Sequence, residues 1–79
     1  MQARIVSLRG IEFEGEIASL NVKTTSGEIT VLDNHHPLIT VLKKGTMVVI
    51  TGKGDTQRIE VTDGFLEVGE ENKLSALIR

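Results

Sequence analysis

The segment ASLNVKTTSGEITV, residues 18–31, contains the pattern that decides the fold. Apolar residues occupy alternate positions from Ala18 to Val22 and again from Ile29 to Val31, on the two sides of a turn signal at Ser26-Gly27. Because successive side chains of a strand point to opposite faces, an alternation of period two predicts strands with one buried and one solvated face. The segment therefore predicts two half-buried strands joined by a short turn.

The same alternation continues through the rest of the chain. Further alternating apolar positions are Ile59, Val61, Leu66, Val68, Leu74, Ala76 and Ile78. Turn signals recur at strand-length intervals, and no stretch keeps a helical apolar period between credible caps. We therefore predict an all-β fold. Many short strands must pack as two sheets face to face or close as one sheet on itself, and we expect a two-sheet sandwich.

Size and composition limit the possible functions. At 79 residues the chain has room for a single domain, residues 1–79, with one modest core. It has no cysteine, which excludes disulfides and thiolate metal sites. The formal net charge is −2, and Phe13 and Phe65 are the only Phe, Tyr or Trp residues, so we expect no nucleic-acid binding. The longest apolar run, Met47 to Ile50, is far shorter than the ~20 residues that span a bilayer.

Few residues suggest a catalytic or ligand-binding role. Gly52 to Asp55 lacks the Gly-rich spacing and the Lys-Ser/Thr pair of a phosphate-binding loop, so a hairpin turn is the better interpretation. Asp33, His35 and His36 could be metal ligands, but neighbouring side chains on an extended backbone point apart and do not converge on one ion. No hydroxyl is marked as an activated nucleophile. We expect no catalytic residues, no metal and no cofactor.

Paired carboxylates are equally unspecific. Glu12, Glu14 and Glu16 alternate, so they line up on one strand face, where an exposed acidic edge is the ordinary interpretation. From the residues alone, the chain is a small all-β domain that serves as a binding or structural module.

A resemblance to a known family takes the interpretation further. The matching residues are Gly27, Glu28, Leu32, His35, Pro37, Leu38, Ile39 and Thr40. In this stretch the chain resembles the epsilon subunit of F-type ATP synthase. Two more blocks agree in order, at residues 13–17 (FEGEI) and 64–68 (GFLEV). The chain departs from the family pattern at Asp33-Asn34, where Pro-Gly is usual, and at Thr30 and His36, which replace a Gly and a small residue.

The resemblance implies a ten-stranded β-sandwich of two antiparallel sheets. It also implies a non-catalytic central-stalk subunit, one copy per complex and monomeric when isolated. Such a subunit docks on gamma and contacts the loops of the c-ring, which couples proton or sodium translocation to ATP synthesis. The implied location is peripheral, on the cytoplasmic face of the bacterial inner membrane, with membrane contact only through the complex.

Site residues follow from the same resemblance. Glu28 and His35, with Pro37 shaping their loop, are the implied c-ring contacts, whereas the gamma contacts stay unassigned. The family's helical hairpin, which carries inhibition of ATP hydrolysis and in some members ATP binding, is absent from these residues, so we expect neither activity. Glu28 could instead be a solvated turn carboxylate, and His35 a structural histidine.

Two alternatives stay open. One is a β-sandwich binding or adaptor domain outside ATP synthase. The other is a small enzyme or ligand-binding barrel that uses Asp33, His35 and His36, which predicts convergent polar groups in a concave pocket.

Overall fold

The computed structural model describes residues 1–79 and contains eight β-strands. The strands are β1 (Gln2–Ser7), β2 (Gly10–Thr24), β3 (Gly27–Leu32), β4 (Leu38–Leu42), β5 (Gly45–Thr51), β6 (Thr56–Val61), β7 (Gly64–Val68) and β8 (Lys73–Ile78). No helix is present that is long and apolar enough to cross a bilayer. The predicted all-β class is confirmed.

The strands form two layers around one core. In the first layer β4 pairs with β7, β7 with β8, β8 with β1, and β1 with the first half of β2. In the second layer β3 and β5 flank the second half of β2, and β6 pairs with β5. Thr24 at the end of β2 also pairs with Leu42 of β4. The layers are therefore joined at two places, through β2 itself and through this contact.

Strand β2 belongs to both layers, since residues 10–16 pair with β1 and residues 17–24 pair with β5 and β3. Gly15 has a φ of 152°, a backbone conformation that side chains with a Cβ rarely adopt. The pairing with β5 then shifts register between Ile17 and Ser19. This irregularity turns Ala18 outward, so the prediction that Ala18 faces the core is wrong. Ile17 is buried in its place.

The strand count also differs from the expectation. The resemblance implied ten strands in two antiparallel sheets, whereas the structure has eight strands that are all linked in one hydrogen-bonded sheet, folded into two layers. One reason is that β2 runs for 15 residues through both layers as a single strand. In addition, β1 and β8 pair in parallel, with Ala3 opposite Leu74, so the arrangement is not wholly antiparallel.

The core is one cluster of 16 buried apolar residues, with contributions from every strand. Leu20, Val31, Met47 and Leu66 are fully buried at its centre. Except for Ala18, the alternating positions predicted from the sequence are buried or packed against this cluster. The alternation of apolar residues with period two therefore predicted the buried faces of the strands correctly.

Two of the strand connections, β5 to β6 and β6 to β7, require glycine. The predicted hairpin at Gly52 to Asp55 joins β5 to β6, where Gly54 has a φ of 94° and its N–H donates to the Thr51 carbonyl (2.9 Å). Gly64 begins β7 against the backbone of Leu77, and a Cβ at position 64 would collide with that backbone. The second turn therefore accepts only glycine without a shift of β8.

Candidate docking surfaces

A stripe of apolar side chains crosses the outer face of the first layer. In register, Val41 of β4 lies beside Phe65 of β7, and Phe65 lies beside Leu77 of β8. Leu77 lies beside Val6 of β1, and Val6 lies beside Ile11 of β2. Since neighbouring strands are about 4.8 Å apart, the five side chains span roughly 20 Å. We call this set the apolar stripe.

A β-bulge completes the apolar stripe at β2. The pairing of β1 with β2 shifts between Ile5 and Val6, so that Phe13 pairs with Ile5 but Ile11 pairs with Val6. Glu12 is the extra residue between them, and it takes a hydrogen bond from Ser7 Oγ (2.5 Å). The bulge therefore removes a carboxylate from the row and brings Ile11 into it.

The apolar stripe is exposed to an unusual degree for such residues. Phe65 and Leu77 at its centre are 57% and 59% exposed, and Ile11 and Val41 are also exposed. An exposed row of large apolar side chains on one face, bordered by polar residues, is typical of a surface that a partner covers.

The row beside the apolar stripe is mostly polar. It consists of Ile39, Glu67, Ser75, Arg4 and Glu14, which are aligned by the same strand pairings. Arg4 Nε lies 3.5 Å from Glu14 Oε2, which makes an exposed ion pair. An apolar centre with a charged border is the usual anatomy of a protein interface. Thus Glu14, one of the alternating acids, belongs to a paired rim.

The sequence contained a signal for this surface that the prediction did not use. Phe65 alternates with the buried Leu66, and Leu77 with the buried Ala76 and Ile78, so both occupy positions that the solvated face should fill with polar residues. Large apolar residues at outward positions of neighbouring strands indicate that a partner covers the outer face of the sheet, in addition to the core that covers its inner face.

The outer face of the second layer is different in chemistry. The Asn21 side-chain amide donates to Thr30 Oγ1 (2.9 Å) and to Glu28 Oε2 (3.3 Å), which links β2 to β3. Glu28 is exposed and points away from the core, since its neighbour Ile29 packs against the core. The carboxylate is therefore available on a polar face at the start of β3.

The loop of residues 33–37 follows the other end of β3 and carries His35 and Pro37. Asn34 has a φ of 62°, in the left-handed region that asparagine tolerates. The His35 N–H donates to the Leu32 carbonyl (3.2 Å), which closes the turn. Asp33-Asn34 thus makes the turn in place of Pro-Gly, as the sequence indicated. His35, His36 and Pro37 are all exposed.

The structure separates the predicted site residues into two groups. Glu28 lies at the start of β3, whereas His35 and Pro37 lie in the loop beyond its end. Glu28 is four residues from Leu32, the last residue of β3, and four steps of extended strand cover about 13 Å. A partner that contacts all three residues must therefore extend along β3.

The carboxylate of Asp33 is engaged in hydrogen bonds within the chain. Its Oδ1 accepts from the Met1 ammonium (2.7 Å) and from Asn72 Nδ2 (3.4 Å). The bond to the ammonium and then the bond to Asn72 hold the pKa of Asp33 below its usual value. Burial alone would lower the pKa of the Met1 amino group, but the bonds to Asp33 and Glu16 outweigh it and raise that pKa.

The polar groups of the ligand-binding alternative do not converge. His35 Nδ1 lies 2.7 Å from the His36 carbonyl, and Asp33 is engaged with Met1 and Asn72. No group of three or more His, Cys, Asp or Glu side chains is placed to hold one metal ion. A surface depression of about 550 Å³ lies elsewhere and is open; its lining includes Arg9, Arg58 and Arg79.

Two packed layers, one of them with an exposed apolar stripe on its outer face, define a small β-sandwich domain. The family model described as the ATP synthase delta/epsilon chain, β-sandwich domain, matches residues 1–77. The chain belongs to this family. The resemblance stated from the sequence is therefore confirmed, and an adaptor unrelated to ATP synthase is not favoured.

Curated relatives agree with the family. The chain is 48% identical over 68 residues to the ATP synthase epsilon chain of Psychrobacter arcticus, covering 86% of this chain and 49% of that one. It is 42% identical to the epsilon chain of Aquifex aeolicus, covering 94% of this chain and 54% of that one. For Synechocystis the identity is 36%, with 99% and 56% covered. The chain thus spans about half the length of the curated relatives it matches.

Solved structures share the fold. A chain in the cryo-EM structure of the Euglena gracilis mitochondrial ATP synthase superposes with a TM-score of 0.88 at 19% identity, covering 96% of this chain and 48% of that one. A chain of the Tetrahymena thermophila mitochondrial ATP synthase central stalk and c-ring gives a TM-score of 0.82 at 15% identity, covering 99% and 62%. At these identities the likeness concerns the fold.

Proposed function

We propose that residues 1–79 are the docking domain of a non-catalytic central-stalk subunit of F-type ATP synthase. The domain docks on gamma through its first layer and contacts the c-ring loops through the polar residues at and beyond β3. In this role it helps to couple ion translocation to ATP synthesis, at the cytoplasmic face of the membrane in a bacterium. Its contribution is mechanical, with no catalytic group of its own.

The apolar stripe carries the gamma assignment. Its central pair, Phe65 and Leu77, is more than half exposed in the isolated chain. Covering such a surface removes apolar area from water and stabilises the contact by roughly 25 cal/mol per Å² of that area. This favours a stable and long-lived contact. Gamma is a constant partner in the rotor, so the apolar surface fits gamma better than it fits a transient contact.

The polar residues suit the c-ring assignment. Glu28, His35 and Pro37 are exposed, and the loops of a c-ring are polar. Contacts of this kind are weak individually, at about 1 kcal/mol or less for an exposed ion pair. A surface that combines one carboxylate, one imidazole and a proline-restricted loop supplies several such contacts along β3.

A binding experiment with purified gamma tests the proposal. The chain should be retained by immobilised cognate gamma at micromolar concentration, with a stoichiometry of one to one. Bovine serum albumin at the same loading serves as the control for unspecific retention. If the chain stays in the unbound fraction, the stalk assignment is wrong.

Crosslinking tests the assignment of surfaces. The chain has no cysteine, so single-cysteine variants report one position each without a background. A cysteine at Leu77 should join gamma, and a cysteine at Glu28 should join a cysteine in the c-ring loop. If the cysteine at Glu28 joins gamma alone, the proposed division between the two surfaces is refuted.

A further inference from the structure

We propose that Asn72 is a positioning residue that fixes the loop of residues 33–37 for its contact with the c-ring. The proposal rests on the proposed function for the identity of the contact, but the clamp itself is a property of the chain. Asn72 lies in the turn of the β7–β8 hairpin, whereas the loop that it holds joins β3 to β4.

The side-chain amide of Asn72 binds the loop with both of its ends. Its Oδ1 accepts the backbone N–H of Asn34 (2.8 Å), and its Nδ2 donates to Asp33 Oδ1 (3.4 Å). Its backbone carbonyl accepts the N–H of Gln2 (3.1 Å), which ties the same turn to β1. The two bonds of the amide join residues that are 38 and 39 positions apart in the sequence.

The backbone conformation explains why the position suits asparagine. Asn72 has a φ of 59° and follows Glu71 at 61°, and Asn34 has a φ of 62°. Residues other than glycine rarely adopt this left-handed region, and asparagine is one of the few that tolerate it. Two left-handed residues from separate turns therefore face each other, and the amide of one satisfies the N–H of the other.

The consequence for the contact residues follows from this geometry. His35 comes directly after Asn34, and Pro37 two residues later, so the direction of both depends on the conformation of Asn34. Without the amide, the N–H of Asn34 loses its acceptor and the strained turn loses its support. Asn72 is five residues from Leu77, roughly 16 Å along the strand, so the apolar stripe should be unaffected.

Three variants of the full chain separate positioning from general stability. Asn72→Gly keeps the left-handed backbone and deletes the amide. Asn72→Asp keeps an acceptor for the Asn34 N–H but removes the donor to Asp33. Glu71→Gly is the matched control, since it alters a left-handed residue in the same turn whose carboxylate is paired only with Lys73 at 3.7 Å.

The readouts are hydrogen exchange at the Asn34 amide, the imidazole NMR shifts of His35 and His36, and binding to gamma and to purified c-ring. In Asn72→Gly, exchange at Asn34 should rise about tenfold, the His35 shifts should move, and c-ring affinity should fall at least about fivefold, as expected for the loss of a hydrogen bond. Gamma affinity should stay within about twofold.

The conservative variant should rescue part of this effect. Asn72→Asp keeps the acceptor but places a carboxylate beside Asp33, so exchange at Asn34 should lie between the rates of Asn72→Gly and the unmodified chain, whereas Glu71→Gly should match the unmodified chain in every readout. Unchanged Asn34 exchange in Asn72→Gly, or equal changes in Asn72→Gly and Glu71→Gly, would overturn the proposal. If the unmodified chain itself does not bind the c-ring, the proposed function has failed, and the clamp is then judged by Asn34 exchange and the His35 shifts alone.

Discussion

Replacing Phe65 with threonine should weaken gamma binding strongly and leave the fold intact. The ring lies on the outer face of β7 between Val41 and Leu77, at the middle of the apolar stripe. Threonine is β-branched and suits a strand, so the change removes the ring without removing strand propensity. Phe65 is not part of the buried core cluster, so no cavity forms.

The magnitude follows from the exposed area of the ring. An aromatic side chain carries roughly 150–250 Å², and 57% of Phe65 is exposed in the isolated chain. Covering about 100 Å² at roughly 25 cal/mol per Å² stabilises a complex by about 2.5 kcal/mol. Threonine recovers a small part of this, so the expected loss is about 2 kcal/mol, which is about 30-fold in Kd.

The assay is isothermal titration of cognate gamma with the unmodified chain and with two variants. Leu32→Thr is the matched control, since Leu32 is 56% exposed but lies at the end of β3 on the second layer. Thermal unfolding of each variant establishes that the fold is retained. Equal losses of affinity in Phe65→Thr and Leu32→Thr, or no loss in Phe65→Thr, would refute the gamma assignment of the apolar stripe.

Three further changes have distinct expected results. Glu28→Gln should leave thermal stability and gamma affinity unchanged but weaken c-ring attachment by about 1 kcal/mol or less, a difference that should shrink at raised ionic strength as salt screens the charge. Gly64→Ala should lower the free energy of unfolding by about 2–4 kcal/mol in urea titrations, because the new Cβ meets the Leu77 backbone. The hydrogen bond from Arg79 holds the pKa of Asp63 below its usual value, so its contribution to stability is present above the unfolded pKa and is lost as pH falls through the folded pKa. Asp63→Asn should therefore lower the Tm at neutral pH, and the difference from the unmodified chain should vanish in acid.

The core could be predicted from the sequence because its signal is local. Alternation along a single strand identified Leu20, Val22, Val31 and Leu66 as inward residues without knowledge of their neighbours, and all four are buried. Ala18 shows the limit of this reasoning. A register shift beside it reverses the parity, and no residue pattern in β2 marks the position of that shift.

The surfaces were harder to predict because they depend on pairings between distant segments. The apolar stripe joins residues from five strands, and its continuity requires the parallel pairing of β1 with β8 and the bulge opposite Val6. The contact between Asn72 and Asn34 spans 38 positions. The sequence shows which residues are available to such contacts, but the register between remote strands decides which of them meet.

On the proposed function, β2 is the element that connects the two working surfaces. Its first half carries Ile11 of the apolar stripe, and its second half carries Asn21, whose amide binds Glu28. The 15 residues between Gly10 and Thr24 form one strand that is paired on successive sides with β1, β5 and β3. A load applied between gamma and the c-ring would therefore pass along a covalent strand held by ladders of backbone hydrogen bonds. On this proposal the polar contacts at β3 and the apolar stripe are linked through β2 itself, so a force on one surface reaches the other without crossing a loop.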